Sequence, residues 1–510
     1  MAKTRTSSWI PSLLALGYGS TAAAAAVIPL NSGCSQYHEH VFFPNSSGYQ
    51  LESSGSYWSE MVSKAVSEFD RRNCSFAIRS GGHSTAEGWA NIDNGVLLAT
   101  TNLSYIKLGD DYVSVGPGLR WGAVYDFLDP HGLAVVGGRG AEVGVGGLAL
   151  GGGVSQFTPE RGLACDNIKG LQIVTAGGEI VEANAESHAD LWQALKGSQN
   201  MFGVVTRLDL YTFPSPQLHS VTSQIGMGSF DQLVDIYDDY IRVRSSDEDA
   251  RHLAVGLISY YVPFLGAPSL SLNLLSTKGK EENSWVRNGT TVVQLPAPLA
   301  RFEELPSSAP TENRGTMAKF ASGAPTPKLR YDLRTISFHS SIDMFKGMRH
   351  IFEEEIAAVQ KTDASFSGII EWQLLTENAI TQGAEKGGNI LGLEGVGPFI
   401  VFTMANSWAD ASGDEAAHAA GQRVVERGEC LARELGVYVP FLYANYAAKG
   451  QDVVGSYGEK NIAKLNQVRA KYDRRNTLRA LIPGGLSGMQ PHREAWMLLC
   501  ETCNSLAQFK

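Results

Sequence analysis

The chain has little of what several protein classes require. Its 510 residues contain only 6 cysteines, too few for a disulfide-stapled scaffold. The 42 lysines and arginines are outnumbered by 52 aspartates and glutamates, which gives a net charge of −10. No basic cluster stands out, so nucleic acid and anionic membranes are poor partners. At roughly 100–200 residues per domain, the length predicts two or three domains.

Charge is also missing near the amino terminus. Two basic residues are followed by an uncharged stretch from Thr6 to Gln36. A basic end, an apolar middle and small residues are typical of a secretory signal peptide, which we expect at residues 1–26. The alternative is a signal anchor over Trp9 to Leu30, but prolines, glycines and alanines make that stretch only weakly apolar. We therefore expect a secreted or vesicular protein without stable membrane association. Its four potential N-glycosylation sites are Asn45, Asn73, Asn102 and Asn288.

One glycine turn carries an imidazole. The apolar segment 75–78 is followed by Arg79, Ser80, Gly81, Gly82, His83 and Ser84. Adjacent glycines allow positive φ, and successive backbone N–H groups in such a turn form a concave anion site. The order therefore predicts a strand, a phosphate-binding turn and a reactive histidine. Taken alone, the same pattern is also that of an ordinary loop histidine.

Glycine clusters continue over the next hundred residues. They are separated by short β-branched or apolar runs, which indicates backbone pressed against something large. A Rossmann fold would require a G-x-G-x-x-G directly after a first strand, and no cluster has that context. The clusters are Gly116–Gly118, Gly137–Gly138, Gly144–Gly147 and Gly151–Gly153.

With further motifs, this pattern resembles a known family. The chain resembles the berberine-bridge-enzyme-like FAD-linked oxidoreductases of fungal secondary metabolism, in the vanillyl-alcohol oxidase superfamily with its PCMH-type FAD-binding domain. The resemblance covers about Tyr57 to Gly485. Its motifs are Arg79–His83, Val115–Gly118, Val143–Gly147 with Gly151–Gly153, Cys165–Asn167, Leu191–Gly197 with Asn200–Gly203, and Tyr443–Tyr446 followed by Ser456–Gly458.

The resemblance and the segment pattern together predict an α+β fold. We expect a two-part PCMH-type FAD-binding domain, with a first part at 27–214 and a berberine-bridge-like segment at 437–510 that returns to it. Between them, 215–436 is expected to form a substrate domain of an antiparallel sheet covered by helices. The predicted strands there are Leu253–Tyr261, Ser269–Leu275, Gly368–Leu374 and Phe399–Met404, and the predicted helices are Ile342–Gln360 and Asp414–Leu435.

The resemblance implies FAD as the cofactor and no metal. It gives His83 the covalent bond to the flavin 8α-methyl group. A second link comes in some members from a cysteine that corresponds here to Gly140, so we expect a single covalent link. The other expected cofactor-binding residues are Arg79, Ser80, Gly81, Gly82, Ser84, Gly116, Val143, Gly144, Gly146, Gly147 and Asn445.

The resemblance also bears on reoxidation and on the amino terminus. The position of Val143 is described in the family as a gate for dioxygen, and a valine there suggests an oxidase. Val143 can equally be a packed strand residue. An early cysteine in family members is tied to the strand before the histidine turn, which suggests a disulfide between Cys34 and Cys74.

Two residues are candidates for the catalytic base. Tyr443 resembles the tyrosine of the family's Tyr-x-Asn motif, with Asn445 holding its ring. A tyrosine has an ordinary pKa of about 10, so it would need a nearby cation, which the sequence does not identify. Glu371 is the second candidate. Because strand residues alternate between faces, Glu371 could instead point to solvent.

Three functions are consistent with the sequence. The first is an FAD oxidase that moves a hydride from a small secondary metabolite to flavin N5, by oxidising an alcohol or amine or closing a ring, with dioxygen reduced to hydrogen peroxide. The second is a carbohydrate or oligosaccharide oxidase. The third is a flavin-containing cyclase without net redox turnover. Fold arguments do not choose among substrates.

Overall fold

The computed structural model describes residues 55–244, 250–278, 285–287, 290–292, 301, 305–307, 310–321 and 327–486. The expected signal peptide, Cys34, Asn45 and Asn288 lie outside these ranges. Within them, none of the helices combines the length and the apolar character of a membrane span. Cys74 is buried and disulfide-bonded, and its predicted partner Cys34 is among the residues not described.

The amino-terminal part of the described chain mixes short strands and helices. Two strands pair in parallel, and a six-stranded sheet follows in the order β3-β4-β8-β6-β7, with β5 also paired to β8. The strands are β1 (Phe76–Arg79), β2 (Val96–Ala99), β3 (Ile106–Leu108), β4 (Tyr112–Val115), β5 (Leu133–Val135), β6 (Ile168–Thr175), β7 (Ile180–Asn184) and β8 (Gly203–Pro214). The helices are α1 (Gly55–Arg72), α2 (Trp121–Leu128), α3 (Val145–Leu150), α4 (Thr158–Arg161) and α5 (Ala189–Leu195).

Helix α2 shows why this part folds as it does. Its buried residues are Trp121, Val124, Tyr125 and Leu128, a spacing that places apolar side chains on one face of a helix. They belong to a core that also contains the inward side chains of β4, β6 and β8. The sheet and α2 thus share one apolar core, which fixes the loops at the strand ends.

The second part is an antiparallel sheet of eight strands. Their order is β14-β9-β11-β10-β16-β17-β15-β18, which confirms the α+β class. The strands of this part are β9 (Leu218–Gly226), β10 (Leu253–Tyr261), β11 (Ser269–Ser276), β12 (Trp285–Arg287), β13 (Thr290–Val292), β14 (Thr311–Gly315), β15 (Arg330–Phe338), β16 (Ser367–Leu375), β17 (Phe399–Trp408) and β18 (Tyr438–Val439), of which β12 and β13 form a separate hairpin.

Helices cover one face of this sheet. A second apolar core joins Phe230, Met344 and Val424 on three helices to Trp372 and Phe402 on the central strands. The strands and helices predicted in this region are confirmed to within a few residues. The helices are α6 (Phe230–Arg244), α7 (Met317–Ala321), α8 (Ile342–Gln360), α9 (Glu377–Glu385) and α10 (Asp414–Glu434).

The carboxy-terminal segment crosses back to the amino-terminal part. After β18 come α11 (Val453–Ser456), α12 (Glu459–Tyr472) and α13 (Thr477–Leu481). The Tyr457 hydroxyl donates to the Gly197 carbonyl at 2.8 Å. At the end of α12, Lys471 Nζ lies 2.8 Å from Asp190 Oδ2. Because β18 pairs with β15, this end of the chain contacts both the sheet and the amino-terminal part, and it brings residues near 445 to their junction.

Candidate active site

A cavity lies where these three parts of the chain meet. Its empty volume, counted with its open mouth, is about 1440 Å³. It is lined by the turn at 80–84, the loop at 139–148, the segment 443–446 and single residues such as Leu333 from the sheet. A cavity walled by both parts of a molecule is a usual place for a ligand.

Two glycine turns form the floor of this cavity. A Cβ atom on Gly81 would lie 2.5 Å from the Cα and N atoms of Gly144, so neither position has room for a side chain. Gly82 has φ of +68°, which favours glycine. The Ser80 hydroxyl donates to the Pro117 carbonyl at 2.5 Å and fixes the first turn. The two turns therefore present backbone to the cavity, as binding of a phosphate-containing ligand requires.

His83 ends the first turn and lines the cavity. Its Nε2 atom is buried and has no hydrogen-bond partner among the described residues. Burial, with a smaller contribution from Arg120, lowers the pKa of His83 to about 4. The imidazole is therefore neutral near pH 7. A buried polar atom without a partner is costly, so this nitrogen indicates a missing bonding partner in the cavity.

Most of the predicted cofactor-binding residues line the cavity, and two of them lie behind its wall. The cavity lining includes Ser80, Gly81, Gly82, His83, Ser84, Val143, Gly144, Gly146, Gly147, Tyr443 and Asn445. Arg79 instead donates from Nε to the Ala90 carbonyl at 2.7 Å. Gly116 packs so close to the Leu103 carbonyl oxygen that a Cβ atom would lie 2.0 Å from it. Both residues support the wall instead of facing the cavity.

Tyr443 is held by neutral donors. Its hydroxyl accepts hydrogen bonds from the Val154 backbone N–H at 2.8 Å and from Asn445 Nδ2 at 3.1 Å. Asn445 also donates to the Leu148 carbonyl at 3.0 Å, so it links the tyrosine to the glycine loop. Burial raises the pKa of Tyr443 above its ordinary value, and the neighbouring Tyr446 adds to the rise.

The cation that the sequence could not identify lies beside a different tyrosine. Arg139 Nη2 donates to the Tyr446 hydroxyl at 2.9 Å, and the rings of Tyr446 and Tyr443 meet edge to face at 4.8 Å. Burial raises the pKa of Tyr446, whereas the charge of Arg139 acts against that rise. Arg139 and Tyr446 both line the cavity. This pair therefore puts a phenol and a cation together at the cavity wall.

Glu371 is the counter-ion of Arg139. Its Oε1 lies 2.6 Å from Arg139 Nη1 and its Oε2 3.3 Å from Nη2. Only 2% of Glu371 is exposed, so the residue does not point to solvent. Burial alone would lower the pKa of Arg139, but the carboxylate of Glu371 outweighs this and raises it. Arg139 and Glu371 thus form an ion pair across the junction of the two parts.

Arg139 and Tyr446 were not singled out from the sequence. Tyr446 stands inside the quoted motif Tyr443–Tyr446, so the motif contained it. Arg139 is the one charged residue between the glycine pair at 137–138 and Gly140. A lone cation in a glycine-rich loop is a signal that could have been used, because such a loop brings its side chains close to a ligand.

The sequence of this chain is similar to those of known proteins. An FAD-binding domain family matches residues 59–184. The FAD-dependent monooxygenase FUP4 of Fusarium proliferatum is 32% identical over 432 residues, which cover 81% of this chain and 80% of that protein. The FAD-dependent monooxygenase tpcD of Cochliobolus heterostrophus is 32% identical over 446 residues, covering 84% and 83%.

Solved structures show the same fold. A chitooligosaccharide oxidase superposes with a TM-score of 0.65 at 18% identity, over 85% of this chain and 90% of that one. The 6-hydroxy-D-nicotine oxidase of Arthrobacter nicotinovorans gives 0.63 at 20% identity, over 86% and 96%. The matched domain and the fungal relatives define an FAD-binding oxidoreductase. The chain belongs to the berberine-bridge-enzyme-like family of FAD-linked oxidoreductases.

The cavity fits the cofactor of this family. The backbone of the turns at Gly81 and Gly144 would hold the pyrophosphate, and the unpartnered Nε2 of His83 would face the ring system. FAD is therefore the cofactor of this enzyme. Its anionic oxygens would accept hydrogen bonds from backbone N–H groups of these turns.

The contact between the two turns gives a first prediction. Gly144 has φ of −69°, which any residue adopts, so Gly144→Ala acts by pushing against Gly81 and the Ser80 hydroxyl. We expect the variant to lose about 1–3 kcal/mol of stability, as overpacked sites do, together with most of its bound flavin. Thermal unfolding and the ratio of absorbance at 450 and 280 nm measure the two effects.

The matched control for this prediction is Gly177→Ala. Gly177 is exposed and a Cβ atom there would meet nothing within 4 Å. This variant should keep wild-type stability and flavin content. Equal flavin content in both variants would contradict the role given to the Gly81–Gly144 contact.

Proposed function

We propose that this protein is a secreted or vesicular FAD-dependent oxidase that removes a hydride from a small secondary metabolite, an alcohol or amine or a ring-closing substrate, and releases hydrogen peroxide. The observation that carries the proposal is the hydrogen bond of Arg139 to the Tyr446 hydroxyl in the cavity wall. When bound, FAD accepts the hydride at N5 and passes both electrons to dioxygen. The protein must supply the base and the orientation.

Tyr446 is the base in this proposal, in preference to Tyr443 and Glu371. A nearby cation favours the phenolate over the phenol, and Arg139 touches Tyr446, not Tyr443. Gln373 Nε2 lies 3.4 Å from the Tyr446 hydroxyl as a second donor. Both oxygens of Glu371 are engaged by Arg139. Tyr446 would take the proton from the substrate O–H or N–H as the hydride leaves the adjacent carbon.

Tyr446→Phe is expected to slow flavin reduction by about 10²–10⁴-fold, the usual contribution of a general base. Tyr443→Phe is the matched control, because it removes a neighbouring hydroxyl bonded only to neutral donors. It should slow reduction far less, although the unpaired Val154 N–H should cost about 1–3 kcal/mol of stability. Anaerobic stopped-flow at 450 nm, with the metabolite that bleaches the flavin fastest, measures both. Equal rates in the two variants would remove Tyr446 from the role of base.

The fungal relatives named monooxygenases favour a second candidate function, in which one atom of dioxygen enters the product. The two functions differ in the fate of that oxygen. With ¹⁸O₂ we expect product of unchanged mass and one labelled hydrogen peroxide per turnover. Label in the product, with little peroxide, would instead establish monooxygenation. Mass spectrometry of the product and a peroxidase-coupled assay give both numbers.

We further propose one covalent flavin link, through His83. The neutral imidazole and its unpartnered Nε2 support this, and Gly140 offers no thiol for a second link. After acid precipitation the yellow colour should stay with wild-type protein and be released from His83→Ala. The control His131→Ala changes an exposed histidine and should retain the colour.

A tryptic digest of the wild-type protein tests both the covalent flavin link and the proposed secretory location. The peptide with His83 should carry the mass of FAD. Asn73, which is exposed at the end of α1, should carry a glycan, since the disulfide of Cys74 also indicates an oxidising compartment. An unmodified His83 peptide would refute the covalent link, and an unmodified Asn73 in protein from the native host would speak against the secretory route.

A further inference from the structure

Two backbone groups set the directions of the hydrogen bonds around Tyr443. A backbone N–H only donates and a backbone carbonyl only accepts. The Val154 N–H therefore donates to the Tyr443 hydroxyl oxygen, at 2.8 Å. The Leu148 carbonyl accepts from Asn445 at 3.0 Å, so the amide nitrogen of Asn445, and not its oxygen, lies on that side. The same nitrogen donates to the Tyr443 hydroxyl at 3.1 Å, which thus receives two hydrogen bonds.

The proton of the Tyr443 hydroxyl has no acceptor in the described part of the chain. Burial raises the pKa of Tyr443 above its ordinary value, so the proton stays on the oxygen. Buried donors are normally paired with protein, water or ligand. Tyr443 is 2% exposed and lines the cavity. The acceptor for its proton must therefore belong to a molecule that fills the cavity.

Gln199 holds Asn445 in the orientation that this arrangement requires. Its Nε2 donates to Asn445 Oδ1 at 3.3 Å, and the described residues contain no second donor to that oxygen. Gly151 leaves the room for this contact. A Cβ atom on Gly151 would lie 2.2 Å from Asn445 Oδ1 and 2.9 Å from Gln199 Nε2. The contact thus depends on one residue that reaches in and on another that has no side chain.

The backbone of Gln199 has an unfavourable conformation. Its φ of +49° lies in the left-handed region, which glycine adopts without cost. The other described non-glycine residues with positive φ are Asn73, His188 and Asn476, and these residue types are enriched there. Of the four, Gln199 is the one that lines the cavity. Strained residues cluster at functional sites, and the amide of Gln199 is the group that a glycine would lack.

From these observations we propose that Gln199 is a positioning residue. Through Asn445 it keeps Tyr443 as a hydrogen-bond donor to an acceptor atom in the cavity, either a carbonyl oxygen of the flavin or an oxygen or nitrogen of the substrate. The proposal rests on the function given above, because a tyrosine that served as the base could not retain this proton. The two neighbouring tyrosines then have opposite roles. Tyr446 accepts a proton, whereas Tyr443 keeps one and stabilises negative charge that develops on its acceptor.

The decisive variant is Gln199→Glu, which keeps the size of the side chain but makes its donation depend on pH. An ionised carboxylate only accepts, so it repels Asn445 Oδ1 and attracts Asn445 Nδ2. The carboxamide of Asn445 then turns over, and its oxygen takes the Tyr443 proton. A protonated carboxyl donates again. The ordinary pKa of a glutamate is about 4.3 and partial burial raises it, so we expect wild-type behaviour at about pH 5 and a loss at about pH 8.

Two measurements on the holoenzyme distinguish the two possible acceptors. A lost hydrogen bond to the flavin shifts the visible absorption maxima of the ligand-free enzyme. A lost hydrogen bond to the substrate raises its dissociation constant by about three- to tenfold, with little change in the limiting rate of flavin reduction. Anaerobic stopped-flow with the metabolite that bleaches the flavin fastest gives both constants. Tyr443→Phe lacks the donor and should show the same change as Gln199→Glu, but at both pH values.

Two further variants separate this role from a structural one. Gln467→Glu makes the same substitution at an exposed position of α12 and should match the wild type at both pH values. Gln199→Gly removes the amide and also the backbone strain. It should unfold at a temperature no lower than that of the wild type, and it should show part of the loss at both pH values. This variant tests the proposal even if Gln199→Glu does not fold.

The proposal is overturned if Gln199→Glu matches the wild type in both measurements at about pH 8, or if acid does not restore its loss. It is equally overturned if Tyr443→Phe changes neither measurement, or if Gln199→Gly is less stable and otherwise like the wild type. The proposed function fails on a different result, which is a Tyr446→Phe variant whose flavin is reduced as fast as that of the wild type.

Discussion

The active site depends on the ion pair between Arg139 and Glu371. The two residues come from a glycine-rich loop of the amino-terminal part and from the central strand β16 of the sheet. Glu371 is almost fully buried, and a buried charge is tolerated only when it is paired. The pair therefore favours one arrangement of the two parts. Because Tyr446 bonds to the same guanidinium, that arrangement also places the proposed base.

The glycine turns and the ion pair contribute different groups to the cavity. Gly81 and Gly144 remove side chains from the floor, where backbone N–H groups suit an anionic cofactor. Arg139, directly before Gly140 in the same glycine-rich loop, brings a positive charge to the cavity lining. The guanidinium of Arg139 instead donates to the Tyr446 hydroxyl. One loop therefore contributes both to the proposed cofactor site and to the contact with the proposed base.

The sequence was sufficient for the elements whose signal is local. The turn at His83, the strands of the sheet and the long helices α8 and α10 follow from residue order and periodicity. The side chain of Glu371 shows what was missed. Alternation along β16 allowed Glu371 to point to solvent, but helices cover one face of the strand and the amino-terminal part covers the other, so Ile370, Glu371 and Trp372 are all buried. The period of two along a strand shows which residues share a face of the sheet. It does not show whether that face is covered by other parts of the protein or exposed to solvent.

For the same reason, the sequence of the motif alone could not show which of its two tyrosines lies beside a cation. Tyr443 and Tyr446 are three residues apart in one motif, and both hydroxyls accept two hydrogen bonds. What distinguishes them is the nature of the donors, which are a backbone amide and an asparagine for one, and a guanidinium and a glutamine for the other. The guanidinium comes from a residue about 300 positions earlier in the chain, where no sequence spacing connects it to the motif. Since a charged donor stabilises a phenolate more than neutral donors do, it is this tertiary contact, and not membership of the motif, that favours Tyr446 as the proposed base.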